Sequence, residues 1–280
     1  MIPFTQIGAS ILPPQQMMTA GQYLLSPSGY YKLLMQADGN LALYDLTTGI
    51  AVWVANESQP YSVTTTGKYV GVFTCMDRNF MVVDELRGRR WGATNSAGAL
   101  YEGLQNRAHL SVQNDSNLVV LDIQALWASN TSIPFTPGAT EAKVLNPNMA
   151  MQVDAVYPAG AYKLIFQADG NLVVYDQNMA PVWFSGTANI GATQAVMQGD
   201  GNFVISNAAG QPLWYTGTSG FPGAYAQIQD NGNFVICREV PLWARFGYTP
   251  TPPRAPRAVF YPDHSTGPLP LFGGIGWDFG

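Results

Sequence analysis

Short apolar blocks separated by turn signals run along most of the chain. In the clearest example, apolar residues 162–166 precede a turn signal at Asp169-Gly170, and the β-branched block 172–175 follows. Two such blocks around an Asp-Gly turn predict a β-hairpin. Residues 180–184 predict a third strand, and a fourth is expected before the next hairpin. Because a lone hairpin is only marginally stable, several hairpins must share a core.

This hairpin pattern recurs six times. Residues 35–45 and 166–176 are nearly identical, and weaker copies begin at Cys75, Gln113, Gln198 and Gln229. The acidic or equivalent positions are Asp38, Asp77, Asp115, Asp169, Asp200 and Asn231. They are 39 and 38 residues apart in the first half, 54 apart across the middle, and 31 and 31 apart in the second. The long central step predicts a junction between two domains of three repeats each.

One tryptophan follows each copy at a nearly fixed distance. These are Trp53, Trp91, Trp127, Trp183, Trp214 and Trp243. They lie 15, 14 and 12 residues after the acidic position in the first half, and 14, 14 and 12 in the second. Three large rings can fill the axis of a three-sided assembly, so we predict a core role for them. Sugar stacking is the alternative, and it suits the seventh tryptophan, Trp277, better.

The composition favours an all-β chain of two domains. Charged residues are only 11% of the 280 residues, whereas 29 glycines and 20 prolines suit short strands joined by tight turns. We predict domains at 1–138 and 139–249 and a C-terminal extension at 250–280. The aromatic residues of the extension argue against a free disordered tail. It is either a strap packed on the domains or a segment that contacts a target.

Charge and composition narrow the function classes. A net charge of −5 argues against nucleic acid, because phosphate recognition needs clustered Lys and Arg. The compact basic run, Arg87, Arg89 and Arg90, predicts either a solvated turn or contact with an anionic glycan. The chain has no apolar stretch of about 18 residues, so we expect no membrane insertion. No conventional signal peptide is recognisable, because no Lys or Arg precedes an apolar run and prolines interrupt the N-terminal region.

Cysteine and histidine usage gives no sign of a metal, cofactor or catalytic site. Cys75 and Cys237 lie in different halves, and we predict that both are small buried or half-buried apolar residues. His109 and His264 also lie in different halves, outside any nucleophile or metal motif. We therefore expect a binding protein rather than an enzyme, although paired glycosidase carboxylates are not excluded by the sequence.

The most complete copy carries polar side chains at alternate positions. The candidate site residues are Gln167, Asp169, Asn171, Val173 and Tyr175. Alternation in a strand places them on one face and Leu172 and Val174 on the other. A carboxylate, two amides and a phenol suit sugar hydroxyls, which both donate and accept hydrogen bonds, while the valine offers an apolar patch. The alternative is that these residues only tie hairpin turns together.

The pattern Gln-x-Asp-x-Asn-x-Val-x-Tyr resembles the signature of the monocot mannose-binding, bulb-type lectins. Residues 167–175 match it fully, and the resemblance covers about residues 18 to 246. It implies two tandem type II β-prisms, each with three four-stranded sheets around a pseudo-threefold axis, and a preference for mannose-like sugars. A six-bladed propeller is the alternative fold, against which the 54-residue central step speaks.

The other copies depart from the signature to different degrees. Two are secondary candidate sites, Gln36, Asp38, Asn40 and Tyr44 with Ala42 for valine, and Gln198, Asp200, Asn202 and Val204 with Ser206 for tyrosine. The copy at Gln113 has Leu121 for tyrosine. We expect the copies at Cys75 and Gln229 to be structural only, because each lacks several of the polar groups.

Tandem domains, with the better site in the second, also resemble the lectin-like bacteriocins of the putidacin and L-type pyocin group. This resemblance implies a secreted, monomeric toxin with two domains in a pseudo-dimer. Its second domain would bind mannose or D-rhamnose units of lipopolysaccharide O-antigen on related Gram-negative bacteria. Its first domain would select the target through the outer-membrane β-barrel assembly protein, and killing would occur at the cell surface. The rival hypothesis is a non-toxic lectin that acts in adhesion or agglutination.

Overall fold

A computed structural model of the chain describes residues 2–14, 16–55, 70–76, 79–84, 88–93, 108–129 and 142–249, and all regular elements in these ranges are β-strands. The first twelve strands are β1 (Ile2–Pro3), β2 (Ile11–Leu12), β3 (Gln16–Thr19), β4 (Tyr23–Leu25), β5 (Tyr31–Met35), β6 (Leu41–Asp45), β7 (Ile50–Val54), β8 (Val70–Met76), β9 (Asn79–Asp84), β10 (Gly88–Gly92), β11 (His109–Val112) and β12 (Leu118–Ala128). The remaining eleven are β13 (Ala142–Leu145), β14 (Met149–Ala150), β15 (Val156–Ala159), β16 (Tyr162–Phe166), β17 (Leu172–Tyr175), β18 (Pro181–Phe184), β19 (Ala192–Met197), β20 (Phe203–Asn207), β21 (Pro212–Tyr215), β22 (Tyr225–Gln229) and β23 (Phe234–Ala244).

The chain forms two compact units that exchange segments near their ends. Over the described residues, unit 1 contains residues up to Asp122 together with Val240–Tyr248, and unit 2 contains Ile123–Glu239. Strand β12 therefore begins in unit 1 and ends in unit 2, whereas β23 does the reverse. The predicted boundary after residue 138 and the extension at 250–280 lie outside the described residues and stay predictions.

Unit 2 shows the predicted hairpins most clearly. Strands β15, β16, β17 and β18 form one antiparallel four-stranded sheet, and β14, β19, β20 and β21 form another. The predicted strands at 162–166 and 172–175 are confirmed as β16 and β17, which pair with Ile165 opposite Val173. The other strands of unit 2, β13, β22 and the first part of β23, belong to a six-stranded sheet in the order β13-β22-β23-β12-β11-β2, and the N–H of Ser129 donates to the carbonyl of Phe234.

Unit 1 repeats this plan with an additional short strand. Strands β4, β5, β6 and β7 form a four-stranded sheet, while β3, β8, β9 and β10 form a second sheet to which β1 adds in parallel. Strands β2, β11 and the first part of β12 form the unit 1 part of the six-stranded sheet. The N–H of Arg245, just after β23, donates to the carbonyl of Leu118 in this sheet. Each unit thus has two sheets of its own and a part of the six-stranded sheet, which confirms the predicted tandem β-prism.

Each unit is built around three tryptophans, as predicted, but the grouping differs from the order of the sequence. In unit 2 the ring centroids of Trp127, Trp183 and Trp214 lie 5.5 to 5.8 Å apart in edge-to-face pairs. In unit 1, Trp91 packs against Trp53 at 5.4 Å and Trp243 at 5.9 Å. The exchange of strand ends explains this, because Trp127 and Trp243 lie in the segments that cross over.

Buried apolar residues surround each set of rings. The inward positions of β16 and β17 in unit 2, including Leu172 and Val174, are fully buried in the tryptophan core. Cys237 is also fully buried, as predicted, whereas the side chain of Cys75 is outside the described part. In the described ranges, no helix is long and apolar enough to span a bilayer, and no cluster of three potential metal ligands occurs.

Candidate functional site

The polar motif folds into the same tight turn in all five copies that the structure describes. In the copy at Gln167, the N–H of Gln167 donates to the carbonyl of Asn171 at 2.8 Å, and the corresponding distance in the other four copies is 2.8 to 3.0 Å. The Asp169 carboxylate accepts the N–H of Asn171 at 2.9 Å. The turn-forming role of the motif is therefore real, and one oxygen of the carboxylate is used for it.

The five predicted residues of this copy lie together on the outer face of the β16–β17 hairpin. Asp169 is exposed, and Gln167, Asn171 and Tyr175 are half-buried. Val173 lies on the same face but is only 2% exposed, so it offers little apolar surface. The predicted separation of the polar set from the core-facing leucine and valine between them is confirmed.

A hydrogen bond between two side chains spans this face. Gln167 Nε2 donates to the hydroxyl oxygen of Tyr175 at 2.8 Å. The two residues belong to opposite ends of the hairpin, because Tyr175 pairs with Lys163, four residues before Gln167. At about 3.3 Å per residue, this bond requires both side chains to extend towards each other over the row that contains Ile165 and Val173. The hydrogen bond thus spans the row that contains the valine.

Four polar groups of the site keep unused hydrogen-bonding capacity within the described part of the chain. They are the second carboxylate oxygen of Asp169, the side-chain amide nitrogen of Asn171, the hydroxyl proton of Tyr175 and the amide oxygen of Gln167. Two of these groups accept hydrogen bonds and two donate them. Such a set can bind adjacent hydroxyl groups of a polyol.

The orientation of Asn171 is fixed by residues that follow β18. Its side-chain oxygen accepts hydrogen bonds from the hydroxyl of Ser185 and from the N–H groups of Gly186 and Thr187, each at 3.1 Å. The Ser185 hydroxyl also accepts the N–H of Leu172 at 3.0 Å. With its oxygen committed to three donors, the amide of Asn171 directs its nitrogen to the outer face.

The sequence interpretation missed these hydroxyls, although a signal for them exists. Both complete four-stranded sheets of unit 2 carry the same five-residue pattern of Trp, an aromatic residue, Ser or Thr, Gly and Thr, at 183–187 and 214–218. Thr216 donates to the Asn202 side-chain oxygen at 3.1 Å, and Ser129 donates to that of Asn233 at 3.0 Å. The equivalent positions in unit 1 are Ala55, Ala93 and Arg245, none of which carries a hydroxyl.

The copy at Gln36 reproduces the polar geometry in unit 1. Gln36 Nε2 donates to the hydroxyl oxygen of Tyr44 at 2.6 Å, and Asp38 accepts the N–H of Asn40 at 2.9 Å. The side-chain oxygen of Asn40 accepts the N–H of Leu41 at 2.9 Å, and the positions equivalent to Gly186 and Thr187 lie outside the described residues. Ala42, where the complete motif has valine, is 1% exposed. The residue at the position of Ser185 is Ala55, so no hydroxyl holds the amide of this copy from that position.

The copy at Gln198 lacks the bond across its face. Asp200 accepts the N–H of Asn202 at 2.9 Å, as in the complete copy. Val204 and Ser206, which replaces the tyrosine, are each 8% exposed, and Gln198 is exposed. The serine cannot reach the glutamine as a tyrosine does, so this copy presents a carboxylate and two amides without a phenol.

Two copies have buried polar residues. Asn117 is fully buried and donates through its side-chain nitrogen to the carbonyls of Phe246 and Gly247 at 3.2 and 3.3 Å. Gln229 is fully buried and Asn233 is 1% exposed. In the copy at Cys75, Asp77 and the side chain of Asn79 lie outside the described residues, and so do Arg87 and Trp277.

The fold and this surface define a tandem β-prism protein with a polyol-compatible site on one hairpin. No protein-family model and no curated protein matches the sequence. Among solved structures, the chain is similar to a two-domain, fetuin-binding lectin of Scilla campanulata, with a TM-score of 0.55 and 22% identity over 84% of this chain and 100% of that one. At this identity the likeness establishes the fold.

Other solved structures match a part of this chain that is about the size of one domain. A lectin from Allium sativum is 32% identical over 34% of this chain and 91% of its own, with a TM-score of 0.31. The mannose-specific agglutinin of snowdrop, Galanthus nivalis, solved with methyl-α-D-mannoside, is 28% identical over 39% of this chain and 99% of its own, with a TM-score of 0.33. Because these TM-scores are low, the assignment of the fold rests on the Scilla structure.

Proposed function

We propose that this chain is a carbohydrate-binding protein and that Gln167, Asp169, Asn171 and Tyr175 form its principal sugar site. The observation that carries the proposal is the set of four unused donors and acceptors on one half-buried face, with the amide of Asn171 held in a single orientation. The resemblance of residues 167–175 to the mannose-binding lectin signature supports a mannose or D-rhamnose type of sugar. Binding a sugar in this way breaks no covalent bond.

The expected affinity of one site is low. Four hydrogen bonds at about 0.5 to 1.5 kcal/mol each give roughly 2 to 6 kcal/mol, which corresponds to dissociation constants from tens of micromolar to millimolar or weaker. Strong attachment to a cell therefore needs a repetitive glycan or a second contact. A lipopolysaccharide O-antigen, which repeats the same sugars many times, meets this requirement.

Replacing Asn171 with aspartate tests the site with little change to the fold. The variant keeps a side-chain oxygen for Ser185 and the two N–H donors, but it replaces the free amide donor with a carboxylate oxygen. We expect the affinity for methyl α-D-mannoside or methyl α-D-rhamnoside to fall more than about tenfold in calorimetric titration, since one donor is lost and an acceptor faces the sugar oxygens. The same change at Asn40 measures the contribution of the unit 1 copy.

Circular dichroism and thermal unfolding of N171D provide the control for folding. If the folded variant binds the sugar as tightly as the wild type, the Gln167 hairpin is not the principal site. If wild-type protein binds neither glycoside, and also fails to bind a panel of immobilised glycans, the carbohydrate-binding function itself is wrong.

The more specific proposal is that the protein is a lectin-like bacteriocin secreted by its producer. Unit 2 would bind a D-rhamnose or mannose glycan of lipopolysaccharide, and unit 1 would contact the outer-membrane β-barrel assembly protein of the target cell. The resemblance of the tandem arrangement to that bacteriocin group supports it, as does the better-kept site in unit 2. Growth inhibition of related Gram-negative strains by purified protein tests it, and N171D should lose most of this activity.

An agglutinating lectin is the second candidate function. It is favoured by the second open copy at Gln36 in unit 1 and by the fold of the Scilla protein, itself described as an agglutinin. A molecule with two sugar sites can join two glycans. If the protein clumps cells or glycan-coated beads but inhibits the growth of no related strain, the agglutinin is correct and the bacteriocin is excluded.

A further inference from the structure

Two large aromatic side chains are exposed on edge strands of unit 2. Phe184, the last residue of β18, is 60% exposed, and Tyr215, the last residue of β21, is 59% exposed. Each directly follows a tryptophan of the core, Trp183 or Trp214. Because successive side chains of a strand point to opposite faces, both aromatic rings lie on the outer face of their sheets.

The position of Phe184 is set by its partners on both sides. It pairs directly with Val173, and side chains opposite each other in an antiparallel pair lie on one face, with Cβ atoms about 4.5 to 5.5 Å apart. The next residue, Ser185, donates the hydrogen bond that orients Asn171. The phenylalanine is therefore adjacent to the polar set, about one strand spacing nearer the edge of the sheet.

The apolar surface next to the site comes from Phe184 more than from the valine of the motif. Val173 is 2% exposed and its neighbour Ile165 is 8% exposed, and the hydrogen bond between Gln167 and Tyr175 spans this row. Phe184 continues the same row beyond the tyrosine. A ligand above the polar set thus meets a free aromatic face on the side of β18.

The aromatic residue occurs beside only two of the six hairpins. The residues that follow the other four tryptophans are Val54, Gly92, Ala128 and Ala244. Phe184 and Tyr215 stand beside the hairpins at Gln167 and Gln198, in which Val173 and Val204 are their direct strand partners. In the open copy of unit 1, Ala42 is paired with Val54 instead. The hairpins at Gln167 and Gln198 therefore combine aromatic surface with an asparagine held by a hydroxyl.

We propose that Phe184 forms a second sugar subsite, where its ring stacks on the apolar C–H face of the sugar unit that adjoins the one bound by Gln167, Asp169, Asn171 and Tyr175. This inference rests on the proposed function, because the polar set anchors the glycan. The lateral distance of about 4.8 Å between strands places the ring beyond the anchored sugar and next to its neighbour in the chain. The subsite selects oligosaccharides over single sugars.

Titration with glycans of two lengths tests the subsite. The probes are methyl α-D-mannoside with an α-linked mannotriose, and methyl α-D-rhamnoside with the corresponding rhamnotriose. Wild-type protein should bind the trisaccharide of the preferred series more tightly than the monosaccharide. F184A should lose about three- to tenfold in affinity for the trisaccharide, an effect the size of one aromatic stacking contact, and keep its affinity for the monosaccharide. I50A removes a 64% exposed apolar side chain of unit 1 and is the matched control.

F184V separates stacking from simple loss of apolar area, because valine is apolar but has no aromatic ring. It is also the residue found next to the unit 1 copy. F184V should lose nearly as much affinity for the trisaccharide as F184A. Equal weakening of both probes by F184A would place the ring against the anchored sugar and overturn the second subsite. Unchanged binding of the trisaccharide would also overturn it. Failure of the wild type to bind either monosaccharide would instead refute the proposed function.

Discussion

Removing the hydroxyl of Ser185 should weaken sugar binding even though this side chain is expected to contact no sugar. The hydroxyl donates to the Asn171 side-chain oxygen at 3.1 Å, accepts the N–H of Leu172 at 3.0 Å and hydrogen-bonds the Thr187 hydroxyl at 2.7 Å. In S185A all three bonds are lost. The asparagine oxygen keeps the N–H groups of Gly186 and Thr187, so its amide is held by two donors instead of three.

The size of the effect follows from these contacts. A net value of about 0.5 to 1 kcal/mol for the lost orientation of the amide corresponds to a two- to fivefold weaker affinity. The free energy of unfolding should fall by more, about 1 to 3 kcal/mol, because the N–H of Leu172 loses its partner in a half-buried position. Titration with the preferred glycoside and urea unfolding of the same samples give the two quantities.

S185T is the matched control, because Thr216 performs the same role at the equivalent position beside Asn202. It should bind sugar with wild-type affinity. The reasoning is refuted if S185A binds as tightly as the wild type under conditions in which both are fully folded. It is also refuted if S185T loses as much affinity as S185A, since the hydroxyl would then not be the group that matters.

Three further changes test the turn, the hydroxyl of the site and a copy with buried polar residues. G170A should lower the free energy of unfolding by about 1 to 3 kcal/mol, because φ is +85° and a Cβ would lie 2.6 Å from the Ala192 carbonyl oxygen. G186A, with φ of +75° and open space around the added Cβ, should lower the free energy of unfolding by less. Urea unfolding measures both. Y175F should weaken sugar binding about two- to twelvefold in titration by removing one hydroxyl. N117A should leave sugar affinity unchanged but cost about 1 to 3 kcal/mol of unfolding free energy, because the Asn117 side chain is fully buried and its amide donates to the backbone carbonyls of Phe246 and Gly247.

Much of the hairpin architecture could be predicted because its signals are local. An Asp-Gly turn between two apolar blocks fixes the β16–β17 hairpin, and alternation fixes which side chains face the core. The copy at Gln198 shows a limit of this reasoning. Its fourth strand, β14, lies far earlier in the chain, before the whole preceding sheet, and no local pattern in Met149–Ala150 indicates its partner.

The sequence indicates the exchange of strand ends between the units only weakly. In most repeats a turn separates the second strand from the strand with tryptophan, as residues 176–180 separate β17 from β18. At Trp127 and Trp243 the spacing shrinks to 12 residues, and the two strands merge into the eleven-residue strands β12 and β23. The spacing shows that a turn is lost, but it does not show which core the ring enters.

The hydroxyls after the third strand show why the polar signature alone does not define a competent site. Ser129 accepts the N–H of Phe234 and bonds to Asn233, although Asn233 is 1% exposed and cannot reach a ligand. The hydroxyl there serves the fold. Under the proposed function, the same bonds around Asn171 serve both the fold and sugar binding, because the asparagine is half-buried and its nitrogen remains available. We therefore expect sugar binding to depend on two conditions together, an amide fixed by its neighbours and a face left open. In unit 2 the Gln167 hairpin combines them with the tyrosine that hydrogen-bonds across the face.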